Sequence, residues 1–350
     1  MKKVAYIYDE TIGLHNYGRG HPMNPIRISM THSLVKSFNL DKEMDLYLPT
    51  RTKLTYHPQE YIANLSLIEE TDDCPTFHGI VDFVERYSSA SINAAQLINS
   101  GEYDRVINWS GGLHHAHKNE PSGFCFSNDI VMAIQELLCK HQRVIYIDID
   151  VHHGDGVEEA FYDNDRVLTV SFHKHGEGFF PNTGDLIISN KKAVNVPLQN
   201  GMTDEAYKYI YEPIIENCMK RFDPDVVVFQ SGADSLAEDK LGVFALSISG
   251  HANCLKYMLR FKKPILLLGG GGYTIHNVAR CWAYETSIFI EKEIVNDNIP
   301  MKDTFINHYG PDYKLVPELL SKHRINFNGK RYLDNIMSFI QEKIDQFNFS

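Results

Sequence analysis

The chain alternates short apolar runs with longer segments whose hydrophobic residues recur at helical spacing. The short runs are rich in β-branched residues, as buried parallel strands require. They cover residues 4–8, 105–108, 144–149, 167–172, 225–230 and 264–268. The helical segments cover 27–37, 89–98, 128–138, 205–221, 248–261 and 330–346. The segment 248–261 has Ser249 near its N-terminal cap. This alternation predicts an α/β protein in which helices cover both faces of a parallel sheet.

Polar and reactive side chains follow five of the predicted strands. In chain order, the segments at these strand ends read WSGGLHH, DVHHGD, HKHGEGFFPNTGD, SGAD and GGGGY. In open α/β sheets, ligands bind outside the carboxyl ends of the strands. We therefore expect these five segments to converge on one crevice.

Residues 144–155, VIYIDIDVHHGD, form the stretch around which the chain is organised. In an extended chain side chains alternate in direction, so Asp148, Asp150 and His152 would point one way and Ile149 and Val151 the other. A carboxylate oxygen and an imidazole nitrogen suit zinc or a neighbouring first-row divalent ion. A lone motif of this kind is more often a strand end with capping aspartates and solvated histidines. The other polar strand ends favour a binding site.

Three residues at the strand ends could hold one metal ion. Asp150, His152 and Asp234 would give three protein ligands and leave a fourth position for water, which is typical of catalytic rather than structural zinc. Zinc can lower the pKa of such a water to about 7. The pattern therefore indicates metal-assisted attack on a carbonyl group.

The tandem histidines His114 and His115 follow a Gly-Gly turn at a strand end. In isolation they could equally belong to a solvated loop, but next to a metal site they are candidates to accept the proton of the water. Each would need a carboxylate at its far ring nitrogen to fix its tautomer and basicity. Asp148 and Asp155 are the spare acids of the organising stretch.

Tyr273 follows four consecutive glycines. A phosphate-binding loop is disfavoured, because the segment has neither the Walker lysine nor the GxGxxG register followed by an acid. A tyrosine hydroxyl opposite the metal would instead stabilise a tetrahedral oxyanion, a contribution of about 3 to 4 kcal/mol. Phe124 and Phe180 either wall a narrow apolar channel or belong to the core, and their spacing favours the channel.

Composition narrows the class of protein. Of 350 residues, 43% are hydrophobic and 23% charged, and no apolar run reaches the length of a membrane span, so we expect a soluble protein without an export signal. The six cysteines lack a CxxC spacing, which indicates reduced thiols in a nuclear or cytosolic compartment. The net charge of −11 argues against direct nucleic-acid binding. It suits cationic substrates or partners, and it is explained equally well by simple solubility.

Seven segments together resemble the zinc-dependent histone deacetylases, most closely class I. They read GRGHPMNPIR, DDCP, NWSGGLHHAHKNEPSGFCFSNDIV, RVIYIDIDVHHGDGVEEAFY, TVSFHKHGEGFFPNTGD, QSGADSL and LLLGGGGYTIHNVARCWAYET. The resemblance spans residues 4–312. It implies the arginase/deacetylase fold, a three-layer α/β/α domain with a central eight-stranded parallel sheet, and residues 1–350 as one catalytic domain. It also implies hydrolysis of N6-acetyl-lysine on histone tails, corepressor partners, transcriptional repression, and a nuclear or also cytoplasmic location.

The resemblance assigns roles to the candidate residues by motif. It implies a zinc or ferrous ion at Asp150, His152 and Asp234. The implied catalytic residues are His115 as general base and acid, His114 as its electrostatic partner, Asp148 and Asp155 as the acids that orient them, and Tyr273 as the oxyanion donor. The implied substrate-binding residues are Asp73 at the rim and Gly123, Phe124, Phe180 and Leu241 along the tunnel. Arg27 would line an acetate-release cavity. A structural potassium ion would lie at Asp148, Asp150, His152, Ser171 and Phe172.

The sequence departs from the family outside these positions. Three basic residues that bind inositol phosphate in corepressor-associated enzymes are replaced by Asn24, Lys240 and His276, so we expect weakened or absent inositol-phosphate regulation. The segment between residues 65 and 73 is short. Asn182 stands where glycine is usual, which asparagine tolerates if the backbone is left-handed there. We expect no long charged tail of the kind typical of the class.

Three other functions compete with histone deacetylation. A polyamine deacetylase would use the same chemistry on a small cationic substrate. A binding scaffold would be expected to have lost metal ligands or the tyrosine, and none is lost. A two-manganese ureohydrolase of the same fold needs further bridging carboxylates, whereas Asp234 is followed by Ser235 and Leu236.

Overall fold

The computed structural model describes residues 3–176, 178–186, 192–321 and 325–347. Eight strands in these residues form one sheet, and all of their pairings are parallel. The strands are β1 (Val4–Ile7), β2 (Asp45–Tyr47), β3 (Arg105–Asn108), β4 (Val144–Asp148), β5 (Val167–Lys174), β6 (Ala193–Leu198), β7 (Val226–Gln230) and β8 (Ile265–Leu268). Their order across the sheet is β2-β1-β3-β8-β7-β4-β5-β6. The expected eight-stranded parallel sheet is confirmed.

Helices cover both faces of this sheet. Within the described residues they are α1 (Ile26–Ser37), α2 (Gln59–Ala63), α3 (Ile80–Asn99), α4 (Asp129–Leu137), α5 (Asp155–Ala160), α6 (Asp204–Phe222), α7 (Ile248–Met258), α8 (Ile275–Phe289) and α9 (Lys330–Asp345). Strand side chains alternate between two hydrophobic clusters, so that Ile145 and Ile147 pack on one face and Val144 and Tyr146 on the other. The first cluster includes side chains of α1 and α6 to α9, and the second includes side chains of α3, α4 and α5.

The hydrophobic pattern missed the two edge strands. β2 has only three residues and is largely exposed, so it carries no buried apolar run. β6 contains Pro197, which an edge strand tolerates because one side of its backbone has no partner strand.

The pattern also missed or misplaced parts of helices. α8 was not predicted, because most of its residues are buried, including the polar Asn277, Arg280 and Glu285, so its polar positions do not mark a face towards solvent. The cap of α7 is Ser247 rather than Ser249, because the hydroxyl of Ser247 accepts a hydrogen bond from the Gly250 N–H. α3 begins nine residues earlier than predicted, at Ile80.

The described residues show the state of the cysteines and the apolar character of the helices. The six cysteines are free thiols, and only Cys139 is exposed. Among the helices of the described ranges, none combines the length and apolar character that crossing a bilayer requires.

Candidate active site and metal centre

The loops after β3, β7 and β8 are joined by backbone hydrogen bonds, because these strands are neighbours at the centre of the sheet. The Gly269 N–H donates to the Asn108 carbonyl, the Ser231 N–H to the Leu268 carbonyl, and the Ala233 N–H to the Gly271 carbonyl over 3.0 Å. The loop after β4 joins them through Val151, whose N–H donates to Asp234 Oδ1. The polar segments therefore converge at one edge, as the strand-end pattern predicts.

Asp150, His152 and Asp234 form a compact buried group. Their ligand atoms all lie within 4.8 Å of one another. His152 Nδ1 is 3.1 Å from Asp150 Oδ1 and 3.1 Å from Asp234 Oδ2. β4 ends at Asp148, and the chain then turns so that Asp150 and His152 face Asp234, which lies in the turn Ala233–Ser235.

The charges of this group fit a divalent cation. Burial and the charge of Asp150 raise the pKa of Asp234. Burial disfavours a charged imidazole, but the two carboxylates outweigh it and raise the pKa of His152 to about 10. Two buried carboxylates that face one imidazole nitrogen thus demand positive charge between them. A divalent cation supplies that charge, and the oxygen and nitrogen donors are those that zinc accepts.

Further hydrogen bonds hold the Asp150 carboxylate. The N–H of Gly271 donates to Asp150 Oδ2 over 2.8 Å, and Gln230 Nε2 donates to the same oxygen over 3.0 Å. The N–H of His152 donates to Oδ1. Sequence reasoning missed Gln230, although a polar residue at the end of the apolar strand VVVFQ was a usable signal.

The tandem histidines each meet a different aspartate. His114 Nδ1 lies 2.7 Å from Asp148 Oδ2, and His115 Nδ1 lies 2.7 Å from Asp155 Oδ1. Asp148 also accepts a hydrogen bond of 2.6 Å from the hydroxyl of Tyr146. Tyr146 was missed, although it stands two residues before Asp148 and so shares its side of the strand.

The two histidines differ in charge. Burial favours a neutral His114, but the charge of Asp148 outweighs it and raises the pKa of His114 to about 9. Burial and the neighbouring charge of His114 lower the pKa of His115 to about 4. Near neutral pH the pair therefore contains one cationic ring and one neutral ring that can accept a proton.

Tyr273 is buried beside the same group. Its N–H donates to Asp239 Oδ2 over 2.7 Å, and its ring lies edge-on to Phe124 with 5.5 Å between centroids. Burial and the charge of Asp234 raise the pKa of Tyr273 well above its ordinary value. The phenol therefore keeps its proton and can act as a hydrogen-bond donor.

A cavity of about 380 Å³ leads to these side chains. Its lining contains all five predicted substrate-binding residues. It also contains three residues that the sequence did not single out. The full lining is Pro22, Asp72, Asp73, His115, Gly123, Phe124, His152, Phe179, Phe180, Leu241 and Tyr273.

The walls of the cavity are aromatic and closely fitted. The ring of Phe180 lies edge-on to His115 at 4.9 Å, and Phe179 stacks on His152 at 5.3 Å. Gly123 has a φ of 48°, and a Cβ at this position would come within 2.6 Å of His115 Cδ2. Asn182, just beyond the aromatic pair, has a φ of 65°, so it adopts the left-handed conformation that its sequence position required.

Sequence comparison identifies the family. The histone deacetylase domain description matches residues 21–289. A probable histone deacetylase 1-B of Xenopus laevis is 47% identical over 367 residues, covering 98% of this chain and 75% of that protein. Histone deacetylase 1 of Homo sapiens is 46% identical with the same coverage. The chain belongs to the histone deacetylase family. The resemblance drawn from its motifs is thereby confirmed.

Arg27 lies behind the glycine loop of this histone deacetylase and outside the cavity lining. Its Nη1 donates to the Gly272 carbonyl over 2.7 Å and its Nη2 to the Gly270 carbonyl over 2.6 Å. The guanidinium stacks over Trp282, and its buried Nε has no hydrogen-bond partner among the described residues. Burial lowers the pKa of Arg27.

Some of the residues expected to bind potassium or inositol phosphate have contacts in the structure. Asp148 on β4 is the register partner of Ser171 on β5, and Phe172 follows Ser171. Asn24 uses its side-chain oxygen to accept a hydrogen bond from the Ile26 N–H. Of the remaining positions, Lys240 directly precedes Leu241, and His276 is the second residue of α8.

Proposed function

We propose that the chain hydrolyses N6-acetyl-lysine on histone tails to lysine and acetate, with zinc held by Asp150, His152 and Asp234. The observation that best supports this proposal is a cavity with acidic residues at its mouth and aromatic walls. The same cavity is lined by His115, His152 and Tyr273. A bound zinc ion would supply Lewis acidity to activate water and polarise the acetyl carbonyl. Ferrous iron is the alternative ion for the same donor set.

The residues around the metal position have different roles in moving and holding protons. His115 is neutral and accepts the proton of the attacking water, then returns it to the leaving amine. Asp155 fixes the tautomer of His115 through Nδ1, and His114, paired with Asp148, keeps a positive charge beside it. The protonated phenol of Tyr273 donates to the carbonyl oxygen as negative charge develops there.

The cavity fits an acetylated lysine side chain. The aromatic rings of Phe124 and Phe180, with Gly123 between them in the wall, would enclose the methylene chain. Asp73 lies at the mouth, where its carboxylate can accept hydrogen bonds from the substrate backbone, and Leu241 completes the rim. The chain's net charge of −11 favours approach of basic histone tails.

The test compares substrates and variants of the full-length chain. We expect chelator-sensitive release of acetate from an acetylated histone H4 tail peptide. His115→Ala and Tyr273→Phe should lower kcat/KM at least about 100-fold while zinc remains bound. Retained activity in both variants would refute the assigned roles. Faster turnover of N-acetylated polyamines than of the peptide would favour a polyamine deacetylase instead.

We also propose a structural potassium ion at Asp148, Asp150, His152, Ser171 and Phe172, bound partly through backbone oxygens. The parallel register of Asp148 and Ser171 supports it, because adjacent strand ends present oxygens to one another. Thermal stability should be higher in potassium chloride than in choline chloride. Equal melting temperatures would contradict the proposal.

Inositol phosphate should bind weakly or not at all. Asn24 is neutral and its oxygen is engaged with its own backbone. Burial and the charge of Arg280 lower the pKa of His276, while Glu238 places an acid nearby. Adding inositol hexakisphosphate should change deacetylation less than about twofold, and Lys240→Ala should not alter that result. Stimulation that Lys240→Ala abolishes would show a working regulatory site.

The biological setting is inferred from family membership. We propose that the chain acts in the nucleus, with acetate leaving past Arg27, and that corepressor proteins bring it to chromatin for transcriptional repression. Co-purification of a tagged chain with chromatin-associated proteins would support this setting. Exclusive recovery from the cytoplasmic fraction would contradict it.

A further inference from the structure

A second cluster of ionisable residues lies in the protein interior, behind the metal position. His251 on α7 and Glu285 on α8 are both fully buried, and His251 Nδ1 lies 2.8 Å from Glu285 Oε1. Burial favours a neutral ring, but the charge of Glu285 and its hydrogen bond to the ring raise the pKa of His251 well above its ordinary value. Desolvation offsets most of what such a buried ion pair contributes to stability. Stability alone is therefore a weak explanation for it.

The remaining polar atoms of this pair all point to one backbone segment. His251 Nε2 is 2.8 Å from the Gly232 carbonyl oxygen, and the hydroxyl of Ser231 donates to Glu285 Oε2 over 2.7 Å. Next to them, the indole N–H of Trp282 donates to the Ser231 carbonyl over 2.8 Å. Three hydrogen bonds thus fix Ser231 and Gly232.

This segment lies directly against the candidate metal ligands. Gly232 is two residues before Asp234, and a Cβ on Gly232 would overlap Asp150 Oδ2. The turn Ala233–Ser235, which carries Asp234, is also held by the hydrogen bond from the Ala233 N–H to the Gly271 carbonyl. A shift of the Ser231–Gly232 backbone would therefore displace both carboxylates.

We propose that His251 and Glu285 are positioning residues whose ion pair fixes the Ser231–Gly232 backbone and thereby holds Asp234 and Asp150 in place for the metal. This inference rests on the proposed function, because it assumes a metal at these carboxylates. Removing a residue that hydrogen-bonds a metal ligand directly typically changes metal affinity by about 10-fold to 100-fold. Because His251 and Glu285 act through the Ser231–Gly232 backbone, we expect the lower end of that range.

The cluster could instead be a metal site of its own, since Cys281 lies beside it. The ligand atoms of His251, Cys281 and Glu285 lie within 4.8 Å of one another. However, Cys281 Sγ approaches the same ring nitrogen that faces Glu285, and the opposite nitrogen faces the Gly232 carbonyl. Burial raises the pKa of Cys281 to about 11, so the thiol keeps its proton. The contacts match a hydrogen-bonded ion pair.

The experiment measures the zinc dissociation constant of the full-length chain by competition with a chelator. Glu285→Gln keeps the shape of the side chain but removes its charge, and we expect Kd to rise at least about 10-fold. Ser231→Ala removes one hydrogen bond only, and a smaller rise of about threefold or more is expected. If Glu285→Gln fails to fold, Ser231→Ala still decides the question. Cys281→Ala is the matched control. Cys281 contacts His251 but takes part in none of the hydrogen bonds to Ser231 or Gly232.

Each outcome separates the hypotheses. An unchanged Kd in Glu285→Gln and Ser231→Ala, whatever their stability to urea, would overturn the positioning role. Two zinc ions per chain, with one lost in Cys281→Ala, would assign the cluster as a metal site instead. Failure of the unmodified chain to bind zinc would overturn the proposed function together with this inference.

Discussion

Gly123 offers a direct test of the cavity as the route to His115. A Cβ at this position would lie 2.6 Å from His115 Cδ2 and 2.8 Å from Phe180 Cε1. Since such contacts are not found below 3.0 Å, the imidazole ring must move by at least about 0.4 Å, and by about 0.8 Å to reach an ordinary contact of 3.4 Å. Misplacement of a reacting group by about 1 Å can cost about 100-fold in rate. Gly123→Ala should therefore lower kcat/KM by about 10-fold to 100-fold.

The backbone conformation must be separated from this steric effect. The φ of 48° at Gly123 lies in the left-handed region, where alanine costs roughly 1 to 2 kcal/mol of stability. Gly101 has a φ of 74° but a Cβ there would meet no atom within 4 Å, so Gly101→Ala carries the same strain without the clash.

The assay compares deacetylation of the histone H4 peptide, zinc content and urea unfolding for both variants. Both should retain zinc, and Gly123→Ala should lose at least as much stability as Gly101→Ala because of its added clash. Only Gly123→Ala should lose kcat/KM. A Gly123→Ala enzyme whose kcat/KM stays within threefold of Gly101→Ala would refute the placement of His115 and Phe180 around the substrate.

Three further predictions concern residues to which the motifs assign no role. Tyr146→Phe removes a hydrogen bond to the charged Asp148, so kcat should fall about 10-fold at unchanged zinc content, and an unchanged kcat would contradict this. Burial lowers the pKa of His57 to about 4, so unfolding takes up a proton below about pH 6.5, and stability is lost as pH falls from there toward 4. In urea titrations His57→Gln should lose about 2 kcal/mol less than the unmodified chain between pH 7 and pH 5, and equal losses would exclude this linkage. Phe179→Ala removes the ring stacked on His152, so KM should rise about fivefold with kcat retained, whereas a loss of zinc would show a structural role.

The fold could be predicted where burial controls the sequence pattern. β4 and β7 are buried on both faces. The bounds of their apolar runs in the sequence are nearly the same as the bounds of the strands in the structure. The edge strand β2 lacks that signature, because its side chains are exposed and only its backbone is constrained. α8 was missed for the opposite reason, since its polar residues, including Glu285, are buried and satisfied by distant partners.

The candidate site could be predicted where chemistry and spacing coincide. Asp150 and His152 stand two residues apart next to a strand end, and this spacing of a carboxylate and an imidazole suggested a shared ion. The extended geometry assumed for them was wrong, because β4 ends at Asp148 and the chain turns before His152. Their supporting contacts come from residues that are remote in sequence, as the hydrogen bond from Gln230 to Asp150 illustrates. Only the order of strands in the sheet brings such pairs together. Phe179 was overlooked because its position gives no indication of which of two adjacent aromatic residues faces a ligand.

The most direct test of the central claim is a metal titration of the chelator-treated chain. Acetate release from an acetylated histone H4 tail peptide is measured as zinc is added, for the unmodified chain and for Asp234→Asn. The proposed metal centre predicts a rate that rises to a plateau at one zinc ion per chain and stays near background in Asp234→Asn. Full activity without added metal, or an equal plateau in Asp234→Asn, would contradict catalysis by a metal ion held at Asp150, His152 and Asp234.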